Sequence, residues 1–180
     1  MVGETTDPGE AGVRPVQVLA VLGPGAGGAD LEAVAHRVGR LAACSGWVVL
    51  TGGGPGVMAA ACRGAAGAGG LTVGVLPVAR PNGEYPNRWV SLPIFTGAGM
   101  ARNAYNVLSA SLCVAIGGGP GTLSEVAMAL KAGIPVWTLA SWRLEPPPAT
   151  RTAVPRVFDT ADELLAALEQ RLSSASPATT

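Results

Sequence analysis

The sequence is poor in charge, and the little it has is spread evenly. Charged residues make up 13% of the 180, and 12 basic side chains balance 12 acidic ones to a formal net charge of zero. Lys131 is its one lysine, and the arginines do not cluster. A non-specific duplex-binding surface needs several phosphate-neutralising cations on one face, so nucleic acid is not expected as a partner. Histidine is limited to His36, which shares four-residue spacing with Glu32 and Arg40 and reads as part of a solvated helix face. One histidine leaves little material for a metal site or a His-based triad, and no metal is expected. Cys44, Cys62 and Cys113 are odd in number and form no C-x-x-C pair. Amid apolar neighbours, all three read as small core hydrophobes. No apolar run free of Gly and Pro approaches the ~18 residues of a membrane span. The first residues carry neither a basic leader nor a hydrophobic run behind it. The expectation is a soluble, cytoplasmic protein with no membrane partner.

What is plentiful is apolar surface and glycine. Hydrophobic residues reach 48%, much of it Ala and Val, beside 26 glycines. That usage suits buried strands, close helix–sheet contacts and tight turns. One domain is expected over residues 15–172, between mobile tails at 1–14 and 173–180. Val16–Leu22 reads as a buried strand closing on Gly23-Pro24-Gly25, and Asp30 as the cap of a helix through Ala42. Trp47–Leu50, Leu71–Leu76, Leu112–Ile116 and Pro135–Leu139 read as further strands. Trp89–Leu92 and Arg156–Phe158 are candidate short ones. Helices are expected after Gly56, over 98–109, after Gly121, and from the Thr160/Glu163 capping box onward. Strands alternating with helices imply parallel βαβ units. The fold class is therefore α/β, a doubly wound, Rossmann-like parallel sheet flanked by helices.

The pentapeptide GGGPG occurs twice, at 52–56 and 117–121, each time after an apolar strand and before a helix. Glycine there permits a sharp turn and leaves backbone N–H groups uncovered. With the positive end of the helix dipole, these favour a phosphate oxygen. Gly52, Gly53, Gly54 and Gly56 in the first copy, and Gly118, Gly119 and Gly121 in the second, are the expected phosphate-binding residues. Thr122 adds a hydroxyl. Neither copy is a Walker loop, and neither fits the dinucleotide fingerprint with its distal acid. Arg102 and Glu125 stand out because charge is scarce: Arg102 shares a helix face with Asn106 and Ser109, opposite Ala104, Val107 and Leu108. Glu125 lies one turn after the second glycine loop, on the side of Thr122.

On these residues the stretch from Val18 to about Leu139 resembles the Lonely-guy and molybdenum-cofactor-carrier-like (SLOG) superfamily. Gly117 to Glu125 is similar to its P-G-G-x-G-T-x-x-E signature, and Gly52 to Met58 to its G-G-G-x-G-x-M element, which adds Met58 to the expected binding residues. Arg102 falls 23 positions before Glu125, the family's spacing, and Thr96–Asn103 looks closest to the carrier-like branch. Three departures turn the resemblance away from the phosphoribohydrolases: Gly117 replaces the leading Pro, Asn103 a basic residue, and Ser124 an acidic one. The resemblance implies a small-molecule phosphate ligand, either the molybdenum cofactor or a nucleotide, and no certain cofactor. It also implies a homodimer or homotetramer. The first expectation is a carrier that holds a phosphorylated pterin or nucleotide. The alternative is a nucleoside 5′-monophosphate phosphoribohydrolase that cleaves the N-glycosidic bond with Arg102 and Glu125 as catalytic residues.

Overall fold

In the computed structural model, which describes residues 15–148 and 152–174, the short Val-, Leu- and Ile-rich runs become strands of one seven-stranded parallel sheet. The strands are β1 (Val18–Leu22), β2 (Val48–Thr51), β3 (Thr72–Leu76), β4 (Leu92–Phe95), β5 (Leu112–Ile116), β6 (Val136–Leu139) and β7 (Arg156–Phe158). Their order is β4-β3-β2-β1-β5-β6-β7, with Leu19 beside Leu112 and Val18 beside Val48 in the central register. The helices are α1 (Ala29–Cys44), α2 (Val57–Gly67), α3 (Asn103–Leu108), α4 (Pro120–Lys131) and α5 (Ala161–Ser173). The doubly wound α/β fold is thus present as expected.

Strand alternation divides the core into two layers. Leu19, Val21, Leu112, Val114 and Ile116 face α1, α2 and α5. Ala20, Leu22, Cys113 and Ala115 face α3 and α4. In the first layer α1 and α2 touch backbone to backbone: a Cβ on Gly39 would strike the Ala61 carbonyl, and one on Gly64 the His36 carbonyl. Glycine is required at both positions by contact, not by turn geometry.

Several expectations change. Gly28, not Asp30, is the N-cap of α1, because the Glu32 amide already bonds to the Gly28 carbonyl at 3.1 Å. Asp30 instead sits exposed in the first turn. The extra strand lies at 92–95 rather than 89–92. The Asn87 side chain and carbonyl take the amides of Trp89 and Val90 at 3.0 and 3.2 Å, so pairing with β3 begins only after that turn. The helix expected over 98–109 is split into a 3-10 turn over Gly99–Arg102 and the short α3. Gly97 (φ 62°) and Gly99 (φ 55°) delay helical geometry. On α3 the inward residues are Asn103, Asn106 and Val107, while Leu108 is exposed. On α4 Ala129 is buried and Ala127 faces solvent. Cys62 and Cys113 are buried but Cys44, ending α1, is exposed. The Thr160/Glu163 capping box forms as expected. The tails expected at 1–14 and 173–180 lie outside the described residues, except that Ser173 ends α5 and Ser174 caps it. No helix among the described residues is long and apolar enough to cross a membrane.

Candidate functional site

From β1 the chain builds outward through β2, β3 and β4 on one side and through β5, β6 and β7 on the other. That makes the boundary of β1 and β5 the topological switch point, where open parallel sheets bind ligands at their carboxyl ends. A cavity of about 210 Å³ opens there. Val21, Leu22 and Gly23-Pro24-Gly25 line it from the end of β1, Gly52 from the first GGGPG segment and Met58 from the start of α2. Gly119 and Gly121 come from the second segment, Thr122 and Glu125 from α4, and Arg102 and Asn103 from the start of α3.

The start of α4 leaves its first amides without acceptors inside the helix. Pro120 occupies the first helical position, where its missing N–H costs nothing. Gly121 and Thr122 follow, and amides at these positions have no acceptor inside the helix. Leu123 is the first to bond back, to the Gly119 carbonyl at 3.0 Å. Helices α1 and α5 carry acidic residues in their first turns, Asp30 and Glu32 in one and Asp162 and Glu163 in the other. Helices α2 and α4, which follow the glycine loops, carry none. The first turns of these two helices therefore hold no carboxylate of their own against the helix dipole.

Opposite this helix start stands a buried polar cluster. The Arg102 guanidinium lies directly over Gly52, where a Cβ would collide with it. Its Nη1 is 3.9 Å from Glu125 Oε1, close enough for charge pairing and too long for a hydrogen bond. Asn106 Nδ2 donates to the same oxygen at 2.7 Å. Burial pushes the Glu125 carboxyl above its ordinary range, while the Asn106 bond and Arg102 pull it back. Arg102 Nε and Nη1, and Asn106 Oδ1, are buried without a hydrogen-bond partner among the described residues. Orphaned buried groups cost stability, and three beside one cleft mark a site shaped for something other than the fold. Beside them Asn103 Nδ2 donates to Ser124 Oγ at 3.0 Å, and Ser124 Oγ donates to the Gly121 carbonyl at 2.7 Å.

Of the residues expected at the site, the fold brings Gly52, Met58, Arg102, Gly119, Gly121, Thr122 and Glu125 to one cleft. Gly53, Gly54, Gly56 and Gly118 do not line it. Gly53 (φ 72°) spends its amide on Thr51 Oγ1 at 3.0 Å and its carbonyl on the Asn87 amide at 2.8 Å. Gly54 lies against Tyr85 and Met58. Gly56 packs on Gly25, and Gly118 against Ser141 and Trp142. The two identical pentapeptides are therefore placed differently: the first chiefly locks neighbouring loops together, and the second presents amides. Sequence reasoning missed Gly23-Pro24-Gly25, read only as a turn, although it is a third glycine-rich bend at the carboxyl end of a strand. It also missed the inward role of Asn103 and Asn106. The four-residue spacing of Arg102 and Asn106 was the available signal for the latter.

The SLOG cluster4 family profile matches residues 16–170. Over 145 residues the chain is 38% identical to an uncharacterized protein of Archaeoglobus fulgidus, an alignment spanning 81% of this chain and 89% of the relative. Among solved structures it is similar to the molybdenum cofactor binding protein from the phototrophic bacterium Rippkaea orientalis, at 37% identity and a TM-score of 0.67, with 91% of this chain and 88% of that one covered. It is also similar to the molybdenum cofactor carrier protein from Chlamydomonas reinhardtii, at 34% identity and a TM-score of 0.72, with 88% and 99% covered.

Proposed function

The chain belongs to the SLOG cluster4 family, within the molybdenum-cofactor-carrier-like superfamily, and from that premise we propose that it binds and holds a phosphorylated pterin or nucleotide, the molybdenum cofactor included. The observation that carries this reading is Arg102, a buried guanidinium with two nitrogens that find no hydrogen-bond partner among the described residues, across a cleft from a helix α4 whose first turn holds no acid. The ligand phosphate lies between them, taking the Gly121 and Thr122 amides, the Thr122 hydroxyl and the guanidinium. Hydrogen bonds to such a charged group are worth about 1.5–3 kcal/mol each. Glu125, buried and with its carboxyl pushed above the ordinary range by that burial, orients a ligand hydroxyl beside Arg102.

The cleft lining fits the phosphate end of the cofactor rather than its metal. The residues that form it include no Cys or His, and the Cys113 thiol beneath is pushed up to about 12 by burial and by Glu125. When bound, the cofactor is cargo. Two features speak for holding over hydrolysis. Asn103 and Ser124, which stand where the resembled hydrolases have a basic and an acidic residue, bond to each other. Gly117 adopts φ 66°, which the leading proline of the hydrolase signature cannot reach.

Calorimetric titration of the purified protein with GMP tests the reading. Binding that Arg102→Ala weakens at least tenfold is expected, and no heat from GMP or phosphate would contradict it. Pterin fluorescence with stoichiometric molybdenum in the freshly purified protein is the expected sign of natural cargo.

One observation favours a second reading, phosphoribohydrolase activity: Glu125 and Arg102 face the same cleft 3.9 Å apart, a carboxyl–guanidinium pair able to steady charge on a ribosyl ring. Release of adenine from AMP that disappears in Glu125→Gln would establish it and displace the pure carrier. The proposal also places the protein in the cytoplasm as a homodimer or homotetramer, which fractionation and sedimentation of the native protein check.

A further inference from the structure

Past Arg102 the cleft runs into a second, larger cavity of about 710 Å³. Arg102, Asn103 and Gly121 line both, so the two are halves of one depression. They differ in chemistry. The first is walled by glycine amides and charged groups, and the second by Pro77, Tyr85, Met100 and Met128. Met100 is 86% exposed and Met128 39%, which puts two long thioethers at the edge of a polar site.

Tyr85 is held there by the loop that carries it. Asn82 Oδ1 accepts the amides of Glu84 and Tyr85 at 3.0 and 2.7 Å, and the Asn82 amide donates to the Tyr85 carbonyl at 2.9 Å. The Asn87 amide and side chain then donate to the carbonyls of Gly53 and Gly54 at 2.8 and 3.0 Å. Loop 80–88 is thus tied to the glycine loop on which Arg102 rests. The Tyr85 ring lines the second cavity, its Cε1 3.1 Å from where a Cβ on Gly54 would stand.

We propose that the apolar groove is the ring subsite of this protein, taking the flat fused heterocycle, purine or pterin in class, of a ligand whose phosphate lies at the start of α4. The inference rests on the phosphate reading above and extends it to the rest of the ligand. An aromatic ring and two polarisable thioethers suit a flat π-system. The phosphate cleft alone falls short of the roughly 300–1,000 Å³ usual for small-molecule sites, and with the groove it reaches that range.

The test compares GMP with ribose 5-phosphate, which lacks the ring, by calorimetry on the full chain. Base–aromatic stacking is worth about 1–3 kcal/mol, so GMP is expected to bind roughly five- to a hundredfold tighter. Tyr85→Ala and, separately, Met100→Ala are expected to reduce that ratio severalfold and to leave ribose 5-phosphate affinity unchanged. Met100 is so exposed that its truncation cannot unfold the protein. Equal affinity for the two ligands, or a ratio unmoved by both variants, overturns the ring subsite and leaves the phosphate reading intact. If neither ligand binds, both fall. If Met100→Glu dissociates an oligomer and leaves the ratio unchanged, the groove seats a second copy of the chain and the proposal is wrong.

Discussion

Adding one methyl group at Gly52 is expected to weaken phosphate binding roughly ten- to hundredfold while leaving the protein folded. Gly52 is absent from the positive-φ glycines, so alanine meets no backbone strain there. What its Cβ meets is the Arg102 guanidinium, the movable end of a flexible side chain. Displacing that group costs the fold about 1 kcal/mol. It removes a charge-assisted interaction worth about 1.5–3 kcal/mol from a bound phosphate, which is roughly a ten- to hundredfold rise in Kd. Arg102→Ala removes the same interaction directly. The double variant Gly52→Ala/Arg102→Ala is therefore expected to bind no more weakly than Arg102→Ala alone, a non-additivity diagnostic of one shared group. Titration calorimetry with GMP on the four proteins, with thermal melts as the folding control, supplies the cycle. Wild-type affinity in Gly52→Ala, or additive losses in the double variant, would refute the placement of Arg102.

Three further expectations concern the surroundings of the site. Because burial raises the Glu125 carboxyl in the folded state, the folded protein binds more protons than the unfolded chain. Its stability contribution is full below the unfolded pKa and is lost as pH rises through the folded value. Thermal melts from pH 4 to 8 should show Glu125→Gln flattening that decline, and parallel curves would count against it. Gly64→Ala drives a methyl into the His36 backbone carbonyl of α1; overpacking at the upper end of its usual range, about 3 kcal/mol, outweighs a helix-propensity gain of about 1 kcal/mol. A Tm lowered by roughly 4–8 °C is expected, and an unchanged Tm would mean the helices do not meet there. Ala140, at φ 49°, holds a left-handed conformation that costs an alanine about 1–2 kcal/mol. Ala140→Gly is expected to raise the urea midpoint by the equivalent of about 0.5–1 kcal/mol, since glycine's looser unfolded chain offsets part of the gain. A lower midpoint would show that the strain is not there.

The elements of the sheet were legible because strand and helix alternate and glycine or proline marks most junctions. The sites of failure share a cause: a side chain or glycine acting on backbone nearby. Asn87 takes the amides that would have begun a strand at Trp89, and Gly97 and Gly99 break the helical start that the periodicity of 98–109 suggests. The glycine-loop half of the candidate site was also legible, since a glycine loop opening a helix carries its chemistry in local sequence. The polar cluster was only half so. Arg102 and Glu125 stood out by the scarcity of charge, but the Asn106–Glu125 bond spans 19 residues. The Asn87 anchor of loop 80–88 spans 33. Such contacts arise from packing α3 on α4 and the loop on the sheet, and no spacing in the chain reports them. The repetition of GGGPG implied two equal phosphate loops. The fold places the second at the cleft through its amides, while the amide of Gly53 in the first is already committed to Thr51.

The central claim is that a phosphate is held between the first amides of α4 and the Arg102 guanidinium. Titrating the ¹⁵N-labelled protein with GMP and following backbone amide shifts tests it residue by residue. The largest changes are predicted at Gly121 and Thr122, with the Arg102 side-chain Nε–H moving alongside and the whole response lost in Arg102→Ala. A titration that leaves those two amides still, or moves residues remote from the cleft instead, would contradict it.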